Sequence, residues 1–85
     1  MTVQTTNRPL YEIARDALSD PTLKGNARVY ATPYLEALLS CETGHDMYYA
    51  DTADSCVRYA LSNLTYWRGD TAKAIKDELK AHLLF

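Results

Sequence analysis

The 85-residue chain is poor in glycine and proline, with three of each. That scarcity excludes a collagen-like or low-complexity fibre, and glycines so scattered build no phosphate-cradling loop. It also lacks a long apolar run: the longest, Met47 to Ala50, is four residues. A membrane span needs about 20 such residues and a secretory h-region about 7–15, so neither is expected and the expected location is cytoplasmic. Cysteine is limited to Cys41 and Cys56, too few for a disulfide scaffold, and both read as free thiols. Nor does charge of one sign dominate. Nine basic against eleven acidic residues leave a net charge of −2, which produces no strong field toward nucleic acid or anionic lipid.

What is present fits a small globule. Apolar residues make up 47% and charged residues 24% of the chain, proportions that argue against disorder. A chain of this size buries about 63% of the surface it exposes when unfolded, so one domain with a thin core is expected.

Residues 1–8 are polar without a periodic face and read as a flexible N-terminal arm preceding a single helical domain over 9–85. From Pro9, a residue suited to a first helical turn, the apolar positions Leu10, Ile13, Ala14, Ala17 and Leu18 paint one stripe along a helix ending near Ser19. Asp20-Pro21 stops it, and Thr22 to Asn26 read as a linker. Between Ala27 and Cys41 the apolar residues are dense enough for a largely buried helix. Pro33 complicates it: either the helix begins there with Thr32 as N-cap, the favoured reading, or a longer helix is kinked where Val29 loses its donor. Glu42 to Ala50 read as a loop. Asp51 and Asp54 form a variant capping box for a helix over about 52–67, Gly69 breaks it, and a last helix runs over about 70–83. The expected fold class is therefore all-α, a small bundle of three to four helices. With so thin a core, a second copy of the chain is a candidate partner, giving a homodimer.

The words Pro9-Leu10-Tyr11-Glu12-Ile13-Ala14, Ala31-Thr32-Pro33-Tyr34-Leu35-Glu36-Ala37, Tyr59-Ala60-Leu61-Ser62-Asn63, Trp67-Arg68-Gly69 and Ile75-Lys76-Asp77-Glu78-Leu79 carry a resemblance. From Pro9 onward the chain resembles a group of short uncharacterised proteins encoded by actinobacterial phages and mobile elements. The resemblance implies an accessory protein working in the host cytoplasm, and it implies no chemistry.

Four kinds of chemistry compete with plainer readings of the same residues. A metal site would draw on Cys41, His45, Cys56 and His82, but only the first two are close, and the usual pair of ligand pairs is missing. The plainer reading makes Cys56 a small core residue, ends a helix at Cys41 and leaves both histidines solvated. Nucleophilic catalysis would combine Cys41, His45 and Asp46, yet no hydrolase or metalloprotease signature accompanies them. No enzyme, cofactor or metal is expected. Lys73, Lys76 and Lys80 on the last helix, preceded by Arg68, could track phosphates as a DNA-binding regulator would. Asp77 and Glu78 interrupt that face, and Lys73 has Asp77 at i+4.

Protein recognition is the favoured reading. Seven tyrosines and Trp67 supply large contact area with polar tips at low entropic cost. The expected contact residues are Tyr48 and Tyr49, neighbours in a loop that cannot both face one core, together with Tyr66 and Arg68. The partner would be a host or phage protein. Trp67 also reads as a core anchor, Arg68 as a cap for the preceding carbonyls, and Asn63 as a polar tie beside the apolar seam, bonded to Ser62 or a partner's backbone.

Overall fold

The structure is a computed structural model, and it describes residues 8–48 and 51–83. Its elements are α1 (Leu10–Ser19), α2 (Gly25–Leu38), β1 (Met47–Tyr48), β2 (Asp51–Thr52), α3 (Ala53–Asn63) and α4 (Asp70–Lys80). Each helix packs on two others, α1 on α2 and α4, and α3 on α2 and α4. The expected all-α bundle is thus a ring of four helices closed around one core.

α1 buries Leu10, Ile13, Ala14 and Ala17, the stripe its spacing dictates. Two of its unpaired first-turn N–H groups find carbonyls from the end of the next helix hairpin: Leu10 donates to Glu42 and Tyr11 to Cys41, both at 2.9 Å. Its other end is closed by a side chain. Arg28, on α2, donates to the carbonyls of Leu18, Asp20 and Leu23, satisfying acceptors that a helix terminus leaves open.

α2 corrects the favoured sequence reading. It does not begin at Pro33 but at Gly25, whose φ of +66° is costly for any residue with a Cβ. Pro33 lies inside the helix on its exposed side, where water reaches the carbonyl that lost its donor. Thr32 caps nothing; its hydroxyl donates back to Arg28 at 2.5 Å.

The segment expected to be a loop holds β1, which pairs with β2 just beyond it, Met47 opposite Thr52 and Tyr48 opposite Asp51. The α3 N-cap is Thr52 rather than Asp51, and its hydroxyl bonds the Asp54 carboxylate at 2.5 Å. Loop carbonyls serve the first turn: Ala53 donates to Asp46 at 2.6 Å and Asp54 to Gly44 at 3.1 Å. α3 ends at Asn63, earlier than its apolar spacing suggests, because the chain tightens into turns through Leu64 and Trp67. Lys76 of α4 donates to the Leu64 and Trp67 carbonyls at 3.2 and 2.7 Å. That is the capping role expected of Arg68.

The core holds Leu10, Ile13, Leu35, Leu38, Val57, Leu64 and Leu79, all 0% exposed. Each such side chain contributes about 1.5–3 kcal/mol by leaving water. The polar ends are fastened too. Arg8, assigned to the flexible arm from sequence, forks onto both Glu78 carboxylate oxygens at 2.8 Å and reaches Asp16 at 2.6 Å.

Candidate functional site

α2 and α3 run antiparallel, and their outer seam gathers four tyrosines. The Tyr34 and Tyr59 rings sit 5.3 Å apart, tilted by 35°, a separation at which aromatic pairs attract beyond simple burial. Further along, Lys24, Asn26, Ala27 and Tyr30 on the α2 side face Ser62, Asn63 and Tyr66 across a shallow groove of about 520 Å³. Residues 27, 30 and 34 therefore run against 66, 63 and 59 in one continuous register. Tyr66 is 82% exposed, Tyr30 59% and Tyr59 55%. Asn63 holds its place by donating to the Tyr59 carbonyl at 2.8 Å, so the polar tie is internal to α3 and not to Ser62.

Trp67, the neighbour of Tyr66, has the opposite fate. It is 3% exposed and belongs to the core, as the anchor reading expected. Arg68 is exposed but faces a different recess, shared with Asp70, Lys73, Lys76, Asp77 and Lys80. Of the four residues expected at a contact, the structure thus brings Tyr66 into the tyrosine strip and leaves Arg68 outside it. For Tyr48 only the backbone is described, and Tyr49 lies outside the described residues. Tyr30, Tyr34 and Tyr59 went unselected from sequence. Their signal was the helical spacing, Tyr30 to Tyr34 at i, i+4 and Tyr59 to Tyr66 at i, i+7.

The lysine row is largely committed elsewhere. Lys73 pairs with Asp77 at 2.9 Å, a pairing that holds the Asp77 carboxyl below its usual range, and Lys76 caps carbonyls as described. Lys80 is exposed.

The four cysteine and histidine residues do not gather into one site: His45 and His82 line one recess with Glu42 and Gly44, while Cys41 and Cys56 belong to the core. Cys41 is 0% and Cys56 7% exposed, neither is in a disulfide, and burial pushes both thiols up. Cys41 directs its thiol at the Ala37 carbonyl, 3.6 Å away. His45 is exposed, while Asp46 accepts the Glu42 N–H at 2.6 Å. His82 is not solvated as expected. It is 7% exposed, and its Nε2 lies 2.7 Å from the Arg8 carbonyl oxygen. Since a carbonyl only accepts, Nε2 carries a proton. Among the described residues, no group of three or more His, Cys, Asp or Glu side chains is placed to hold a metal ion, and no helix is long and apolar enough to cross a membrane.

Compared with protein-family models, with curated proteins and with solved structures, the chain matches none.

Proposed function

We propose that this chain is a non-enzymatic recognition module: an accessory protein of phage type that binds a host or phage protein in the host cytoplasm through the tyrosine strip on the α2–α3 seam. One observation carries the reading. Tyr66 stands 82% exposed beside a groove whose opposite wall is the 59% exposed Tyr30, in a bundle whose other large side chains at that end, Trp67 and Leu64, are buried. Exposed aromatic surface of this kind is a liability unless a partner covers it. Tyrosines with few rotatable bonds and a hydroxyl at the tip suit that role. The cytoplasmic and phage assignments rest on the sequence resemblance.

The test is affinity capture from actinobacterial cytoplasm with the wild-type chain and a Tyr30→Ala/Tyr66→Ala variant in parallel. A protein retained by the wild type and lost from the variant, at unchanged unfolding midpoint, is the expected result. Identical capture by both would overturn the assignment of the strip.

A further inference from the structure

α2 carries two apolar residues, one turn apart, on the side that faces away from the core. Inward it buries Ala31, Leu35 and Leu38. Outward, Val29 is 64% exposed and Pro33 is exposed one turn later. The outward residues Asn26, Val29, Pro33 and Glu36 follow one another at intervals of three, four and three, the seam along which one helix lies on another.

The charges of α2 say what lies there. A helix macrodipole favours acids at its N-terminus and bases at its C-terminus. α4 obeys, with Asp70 in its first turn and Lys80 in its last. α2 is reversed: its N-cap is Lys24, its first turn holds no acid, its last turn holds no base and instead contains Glu36. Both are exposed, and neither is among the ion pairs of the described residues. An antiparallel copy of the same helix repairs the mismatch, since it sets a carboxylate beside each N-terminus and an ammonium beside each C-terminus.

The seam is also symmetric about one point. Positions 26 and 36 share a midpoint with 29 and 33, at residue 31. A two-fold axis there sets Asn26 against the partner subunit's Glu36 and Val29 against the partner subunit's Pro33, and does so twice. Lys24 lies one short step beyond Asn26, within reach of the same carboxylate along its four-carbon stem.

We propose that the chain forms a two-fold homodimer by antiparallel pairing of α2 along Asn26, Val29, Pro33 and Glu36. The seam borders the tyrosine strip, since Lys24 and Asn26 also line its groove, but the pairing leaves Tyr30, Tyr34, Tyr59 and Tyr66 outside it on each subunit. A 14-residue helix is about 21 Å long, so the interface falls in the small, reversible class.

Sedimentation equilibrium of the full chain over a wide concentration range tests the proposal. A monomer–dimer equilibrium is expected. Glu36→Lys, which sets ammonium against ammonium, should weaken it at least tenfold, and Val29→Glu should do the same through the centre of the seam. Adding Lys24→Glu to Glu36→Lys should restore association. Circular dichroism checks that these exposed-site variants keep their helix content. A wild-type chain that stays monomeric up to millimolar concentration would overturn the proposal, as would a dimer indifferent to both single variants. Tyr30→Ala/Tyr66→Ala separates the two proposals, because loss of partner capture with dimerisation intact concerns the strip alone.

Discussion

The Trp67 indole N–H donates to the Thr22 hydroxyl at 2.9 Å, linking the turn after α3 to the turn after α1 across 45 positions. The rest of the ring packs in the core, at 3% exposure. Trp67→Phe keeps most of the packing and loses the bond, so a cost near 0.5–1.5 kcal/mol is expected, at the low end because Thr22 is exposed and water replaces the donor. Trp67→Ala should cost about 3–5 kcal/mol. Denaturant midpoints for the two variants separate the bond from the packing.

Gly44 is buried where the loop crosses the end of α4. A Cβ there would land on the His82 carbonyl oxygen and come within 3.3 Å of the Asp54 Cβ. The obstacle is backbone, so Gly44→Ala must move the loop, at an expected cost of about 1–3 kcal/mol. Gly25→Ala tests the other reason for a glycine. Nothing lies within 4 Å of its Cβ position, yet φ is +66°, and left-handed backbone costs about 1–2 kcal/mol. Thermal melts should show both losses, and a Gly44→Ala chain as stable as wild type would deny the close approach.

The Thr52 hydroxyl, followed by the Arg58 guanidinium, holds the Asp54 carboxyl below the usual carboxylate range. Its folded pKa thus lies below the unfolded one. The stabilisation is present at neutral pH and is lost as pH falls below about 4 and through the folded value. Asp20, lowered by Thr22, and Asp77, lowered by Lys73, act in the same direction. Unfolding midpoints between neutral and acid pH should decline, and Asp54→Asn should flatten the decline. An unchanged slope would show that Asp54 plays no part in it.

Burial raises both thiols, so neither is a ready thiolate at neutral pH. Labelling with a thiol-reactive dye should be slow in the native chain and track global opening, then become rapid in denaturant. A fast native phase would reveal local opening near Cys41 or Cys56. The protonated form is the one favoured by folding, so the thiols' contribution is intact below about 8.5 and is lost as pH climbs through their raised folded values.

α1 and α4 were legible because Pro21 and Gly69 punctuate clean apolar periodicity. The start of α2 was not legible because proline is both a good first-turn residue and a tolerable interior one when the freed carbonyl faces water. Which applies at Pro33 depends on the side of the helix that faces the core, a tertiary fact. α3 was read four residues too long because Leu64 and Trp67 keep helical spacing while sitting in turns whose carbonyls Lys76 caps from another helix. The same logic governs the site. Tyr66 was found by its position at a helix end, but the strip exists only once positions 27, 30 and 34 lie against 66, 63 and 59, a register no single helix encodes. His82 looked solvated near the end of a charged helix, and its burial comes from segments distant in sequence, the Arg8 carbonyl 74 positions away and the loop at Gly44.

That contact between Arg8 and His82, reinforced by the fork from Arg8 to Glu78, brings the outermost described stretches side by side. Fluorophores attached within the two stretches would begin within strong energy-transfer range and separate on unfolding, giving a sensitive optical reporter of the whole bundle.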